Sequence, residues 1–174
     1  MSRLYQYVGP TQILEDVRGQ PPGTVIESNQ DVIAWLNEHE VVADADDCIT
    51  VTFVVTSEHQ FLIADRHSEH VACAQGGPVF GAGEATFELN PEIRIVDISN
   101  QSTGFCPEPD CWSDVQVALE QANISHPGQF TRSFQFRLCP NCGQRNLIKD
   151  QWFQCGVCSH ELPLQWNFDL SESS

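Results

Sequence analysis

Four cysteines in two short pairs constrain this 174-residue chain more than any other feature. Cys139-Pro-Asn-Cys142-Gly143 and Cys155-Gly-Val-Cys158 each set two thiols on a turn, with twelve residues between the pairs. A Cys-x2-Cys turn aims both sulfurs at one point, and two such turns complete a tetrahedron, the arrangement of structural zinc sites. The spacing predicts one zinc ion held by Cys139, Cys142, Cys155 and Cys158. Four thiolates fill the coordination sphere and leave no position for a reactive water, so the site implies fold-holding rather than catalysis. Buried free thiols or two disulfides are the competing readings. The matched spacing, in a chain whose first residues lack a secretory pattern, argues against both.

Around the turns the apolar residues alternate. Phe134, Phe136 and Leu138 interleave with Ser133, Gln135 and Arg137, predicting a strand over 134–138. Residues 145–148 and 152–154 read as a hairpin about Lys149-Asp150. Leu162, Leu164, Trp166 and Phe168 resume the alternation and are expected to pair with 134–138, whereas Ser171, Glu172, Ser173 and Ser174 should fray. Residues 134–168 resemble the zinc-ribbon family, with a CPxCG-type first knuckle and Gly143 in place. The resemblance implies a structural metal, a small interaction surface and no reaction. The second knuckle departs from the pattern, because Ser159-His160 follows Cys158 where a glycine is usual. His160 thereby becomes a candidate hydrogen-bond donor to the site or a substitute ligand. Ribbons serve nucleic-acid-binding proteins and protein-binding adaptors alike, so the module does not choose a partner.

Charge narrows that choice. The formal net charge is −16, from 24 acidic and 8 basic side chains. Residues 1–126 carry four basic against twenty acidic residues, whereas 127–160 carry Arg132, Arg137, Arg145 and Lys149 against Asp150 alone. A zinc tetrathiolate itself carries about −2, which brings the basic segment close to neutral. Nucleic-acid binding would have to run through those four basic residues, while the acidic remainder repels phosphate and suits a basic protein partner. No run approaches the length of a membrane span. A reducing, cytoplasmic setting is expected, with no membrane contact.

Upstream, a short strand over 4–8 and a helix from Thr11 with Ile13, Leu14 and Val17 on one side lead to a strand edge over 24–27. Asn29 is read as the cap of a helix striped by Val32, Ile33, Trp35 and Leu36. Asp44-Ala-Asp-Asp47 lacks calcium-loop spacing and reads as a solvated turn. Ile49, Val51, Phe53 and Val55 alternate with polar or small neighbours, a strong strand signal. Strands follow over 61–74, 79–89 and 93–98, giving a four-stranded antiparallel meander with the two helices on one face. Ser113 with Gln116 opens a third helix striped by Val115, Ala118, Leu119 and Ala122, and His126-Pro127-Gly128 marks a boundary. The expected fold is therefore α+β: an antiparallel, sheet-rich domain over 1–126 with about three helices, then a four-cysteine zinc ribbon over 129–170.

In that meander Glu69 or His70 lies opposite Glu84, Glu84 opposite Asp97, and Cys48 beside Glu69. The row Glu69, His70, Glu84, Asp97 is a candidate catalytic set, because close carboxylates want a metal, a shared proton or a basic ligand. Solvated residues on an open sheet face are the plainer reading. His67 and Cys73 stand six residues apart, about 20 Å in an extended strand, which excludes a local Cys–His pair. Cys106-Pro-Glu-Pro-Asp-Cys111 leaves open a second zinc completed by Cys48, Cys73, His67 or His70, although buried small hydrophobes are the base expectation for these thiols.

Two functional classes follow. The first is an acidic, non-catalytic adaptor, regulator or inhibitor that binds protein and uses zinc structurally. The second is a hydrolase or a nucleotide- or nucleic-acid-processing enzyme built on the Glu69, His70, Glu84, Asp97 row. Nucleic-acid binding through the ribbon is a third reading.

Overall fold

A computed structural model describes residues 2–169 of the chain. The expected fraying of residues 171–174 and the last residue of the 129–170 segment lie outside the described residues. The fold is α+β, with a five-stranded antiparallel sheet and a few short helices.

The centre of the sheet is the segment where alternation is strongest. Strand β2 (Cys48–Thr56) is preceded by α1 (Thr11–Asp16), β1 (Thr24–Ile26) and α2 (Asn29–Glu38). Ser28, one residue earlier than expected, is the cap position of α2. Residues Val51, Thr52, Phe53, Val54 and Val55 are all buried, so β2 is covered on both faces rather than open to water on one. It pairs with β3 (Phe61–Asp65) on one side and with β4 (Val79–Glu88) on the other, and β5 (Arg94–Ile98) closes the far edge. The strand order β1-β3-β2-β4-β5 is therefore not the expected meander.

The departure starts at Asp65. Its side-chain oxygen accepts the His67 N–H and its carbonyl accepts the Ser68 N–H, a local Asx turn that ends β3 instead of extending it to 74. Thr52 Oγ1 donates to the carbonyls of Arg66 and Ser68 and holds that turn over the central strand. The chain then forms the short helix α3 (His70–Cys73), which packs on β2 and β3, and re-enters the sheet on the opposite side of β2. Because β3 and β4 are each antiparallel to β2, they run parallel to one another, so β3-α3-β4 is a crossover unit. The expected strand over 4–8 is reduced to Tyr5, which exchanges both backbone hydrogen bonds with Val79 at 2.7 and 3.0 Å.

Beyond β5 the backbone bends sharply across the sheet. A Cβ on Gly83 would sit 1.9 Å from the Ser99 carbonyl oxygen, so only glycine lets the two segments pass this closely. A 3₁₀ turn at Pro109–Cys111 then leads into α4 (Trp112–Gln121), whose Val115, Ala118 and Leu119 bury against the sheet. The Ser113/Gln116 capping box does not form: Ser113 Oγ donates to the Asp110 carbonyl and Gln116 accepts from Trp112 Nε1.

The remaining chain forms a two-stranded ladder of β6 (Gln135–Leu138) and β7 (Arg145–Ile148), followed by the second cysteine turn and an irregular return. Residues 162–168 are not the third strand that their alternation predicts. Pro163 lacks an N–H, and side-chain amides take over the pairing that backbone would have made. Asn167 Oδ1 accepts the Leu138 N–H at 2.8 Å while its Nδ2 donates to the Leu138 carbonyl at 2.6 Å. At the other end of the same strand, buried Asn100 does likewise with Phe134, at 2.7 and 2.8 Å. Two asparagine side chains thus grip both ends of β6, one from the segment after β5 and one from the irregular return.

Aromatic packing completes the closure. Trp166 Nε1 donates to the Cys106 carbonyl at 2.7 Å, its ring lies edge-on to Tyr5, and the Arg3 guanidinium sits 4.5 Å above it. Among the described residues no helix is long and apolar enough to cross a membrane.

Candidate metal centre

The two cysteine turns share one backbone design. In the first, the Gly143 N–H donates to the Cys139 carbonyl and the Cys139 N–H to Gln144; in the second, Ser159 N–H donates to Cys155 and Cys155 N–H to His160. Each turn requires a left-handed residue just after its second cysteine, Gly143 at φ +75° and Ser159 at φ +62°. Glycine takes that conformation freely, whereas serine bears a strain of about 1 kcal/mol. The missing second glycine is thus a local cost and not a different turn.

These turns bring the four sulfurs of Cys139, Cys142, Cys155 and Cys158 within 4.8 Å of one another. Cys139–Cys158 and Cys142–Cys155 stand at 3.6 Å. An ion at about 2.3 Å from each of four sulfurs spaces them about 3.8 Å apart, against about 2.05 Å in a disulfide. The four sulfurs are close enough to hold one metal ion and too far apart for a disulfide, and all eight cysteines are free thiols.

Hydrogen bonds around the sulfurs are uneven. The Cys158 N–H, with the Val157 N–H and the Asn146 amide, draws the Cys155 thiol down to about 6. The Asn141 side chain, then the His160 N–H, holds Cys158 below the ordinary thiol value. At Cys142 the Gln144 N–H pulls the same way, but desolvation and the neighbouring sulfurs outweigh it and push the thiol up to about 12. Four sulfurs this close repel one another once ionised, a repulsion that a divalent cation would relieve. His160 is exposed and stands outside the tetrad; its backbone, not its ring, serves the turn, the carbonyl accepting from Cys155 and the N–H facing Cys158.

The other sequence candidates are brought together only in part. Cys48 pairs with Glu88 and Asp97 with Thr86, away from the expected row, whereas Glu69 and Glu84 both stay near enough to His70 to act on its charge. Glu69 is exposed, immediately before α3. His70 lies in α3 with Nε2 2.8 Å from the Gly83 carbonyl; desolvation lowers its pKa against the opposing pull of that carbonyl and of Glu84 and Glu69. Asp97 is occupied by Thr131 and by Arg132 at 3.0 Å; burial raises its carboxyl, but these hydrogen bonds outweigh it and leave the net value below the ordinary range. A groove of about 510 Å³ between α1 and α3, lined by Leu14, Arg18, Val71 and Gln75 among others, contains none of these five residues.

Cys106 and Cys111 are not brought together either. Cys106 packs with Phe136 and Phe168, Cys111 with the sheet core, and Cys73 lies under Leu62. Burial pushes the Cys73 and Cys106 thiols up to about 12 and raises Cys111 further, so these are inert core residues. Among the described residues no other trio of His, Cys, Asp or Glu converges as the tetrad does.

Two elements that hold the site are not visible as such in the sequence. Arg137, expected on the basic surface, is 1% exposed. It pairs with Glu108 at 2.7 Å and donates to the carbonyls of Phe136, Pro163 and Leu164. Nothing in the sequence pattern singles out Asn146; it is buried and touches both cysteine turns. Of the other basic candidates, Arg132 is bound to Asp97 and Arg145 donates to the Thr103 carbonyl. No family model matches this chain, and no curated protein or solved structure matches it.

Proposed function

We propose that the chain is a non-catalytic binding protein whose tetrathiolate carries one structural zinc ion in a ribbon-like module. The observation that carries this reading is the convergence of four cysteine sulfurs within 4.8 Å from two matched turns. With metal bound, the four sulfurs would lock the turns together, and the residues around them would orient ligands and exclude water. The fully thiolate donor set suits zinc and leaves no vacant position for substrate.

A protein partner is favoured over nucleic acid. What supports this is that Arg137 is enclosed and Arg132 and Arg145 are engaged, which takes three of the four basic candidates away from a phosphate backbone. Apolar side chains are exposed on the same segment instead: Trp152 at 66%, Val157 at 69% and Leu164 at 74%. Leu164 also borders a groove of about 430 Å³ with Pro140 and Pro163. A net charge of −16 suits a partner with a basic surface.

The test is metal content of protein purified without added metal, read by elemental analysis. One zinc per chain is expected, together with loss of amide-exchange protection over 135–168 after chelation. A chain that takes no metal, or keeps that protection in chelator, would sink the structural-zinc reading. Salt-dependent retention of duplex DNA or RNA by the zinc-loaded chain would sink the protein-partner reading.

A further inference from the structure

Asn146 stands at a junction that no ligand residue occupies. It lies in β7 opposite Arg137 and is 9% exposed. Its Oδ1 accepts the Gly156 N–H at 3.0 Å, and its Nδ2 donates to the Gln144 carbonyl at 2.9 Å and toward Cys155 Sγ at 3.6 Å. The orientation of the amide is fixed by its partners: an N–H can face only the oxygen, and a carbonyl only the nitrogen. The nitrogen therefore faces the sulfur. Gln144 belongs to the first cysteine turn and Gly156 to the second, so one buried side chain spans both turns and touches a ligand atom.

We propose that Asn146 is a positioning residue for the metal: it sets the second turn against the first and, through its N–H to Cys155 Sγ, tunes how strongly that sulfur donates. The proposal rests on the zinc reading above. Two consequences separate it from a merely structural role. Removing the donor must weaken metal retention, and it must also change the electronic character of the sulfur–metal bond, because an N–H···S hydrogen bond withdraws electron density from a coordinated thiolate. Asn141 provides an internal comparison. It lies in the first turn and donates to Cys158 Sγ of the second at 3.5 Å, but it is exposed and makes that single link, without the further bonds to Gln144 and Gly156 that Asn146 makes.

The experiment uses the full chain loaded with zinc and, separately, with cobalt. Asn146→Asp keeps the side-chain size while replacing the donor with an acceptor that repels both the Gln144 carbonyl and the sulfur. Its zinc should pass to a competing chromophoric chelator about 10- to 100-fold more readily than that of the native chain. The sulfur-to-cobalt charge-transfer band should move to lower energy. Asn146→Ser should fall between the native chain and Asn146→Asp on both readouts, and Asn141→Asp should move both less than Asn146→Asp does. Native-like zinc retention and an unmoved band in both Asn146 variants would overturn the proposal, as would an equal effect from Asn141→Asp. If Asn146→Asp fails to fold, Asn146→Ser decides by the same two readouts. A native chain that binds no zinc overturns the underlying metal reading, a result distinct from tight native binding with indifferent variants.

Discussion

The sheet and the cysteine segment solve the same problem by opposite means. Around β2 the chain buries a continuous apolar cluster that includes Phe53, Phe61, Phe87 and Leu119, with α3 and α4 packed on the sheet. Around the tetrad, the buried centre is Cys139, Cys155 and Leu162, two of them members of the tetrad itself. A body with a large apolar core folds on hydrophobic burial, whereas a segment this small must find another source of stability. The segment has three: a cysteine tetrad that could hold a metal ion, polar clamps made by Arg137, Asn100, Asn146 and Asn167, and a small apolar seam of Phe136 and Phe168 against Cys106. With a metal at the tetrad, the segment would depend on it and the sheet would not, so the two are expected to fail separately.

The largest effect expected from breaking this contrast comes from a ligand. Cys155→Ser should abolish zinc binding and remove amide-exchange protection across 135–168, while 48–98 keep theirs. Structural zinc contributes about 10–16 kcal/mol of apparent binding energy in small metal-folded units, far more than any other contact in this segment. Equal loss in both regions would show that they fold as one. The converse is Phe53→Ala in the sheet, which should cost about 3–5 kcal/mol in denaturant unfolding of the body. At denaturant concentrations below that transition the variant should still bind zinc in the native stoichiometry.

Arg137→Met tests the seam between the regions. It leaves Glu108 without its cation and removes the donor to three carbonyls, a cost of about 3 kcal/mol after allowing for Glu108's partial exposure. Exchange should rise at 163–168 more than at the cysteine turns. The smallest effect is pH-dependent and confined to the body. Desolvation depresses His70 below its ordinary value near 6.5, so the unfolded chain binds more protons there than the folded one. Stability linked to His70 is therefore full above about pH 6.5 and declines as pH falls toward the depressed folded value. His70→Gln should flatten that slope, seen in denaturant midpoints on either side of about pH 6.5, and leave zinc affinity at neutral pH unchanged.

What is readable from the sequence follows the range of the physics involved. The cysteine turns and the existence of strand β2 are encoded by neighbours within a few residues, and both stand out as spacing and alternation, whereas the burial of β2 on both faces does not. The Asx turn at Asp65 is equally local, yet it hides behind a run of strand-compatible residues, and without it β3 and β4 read as neighbours instead of flanking β2. Alternation with Phe136 and Leu138 assigns Arg137 to the surface, but residues 163–164 cover that face too. The asparagine grips have no sequence signal at all, since a side-chain amide substitutes for a backbone partner only once distant chain is beside it. The candidate metal site is legible in its cysteines and illegible in its supports.

The Tyr5–Trp166 contact has a consequence for the order of assembly. Tyr5 pairs with the start of β4, and its ring is sealed by Trp166, with Arg3 stacked over the same indole. During synthesis the sheet can pair as soon as β5 has emerged, but this flank stays uncovered until Trp166 has left the ribosome. Residues from opposite ends of the described chain must therefore meet in the closing step, a contact of high sequence separation and correspondingly slow closure.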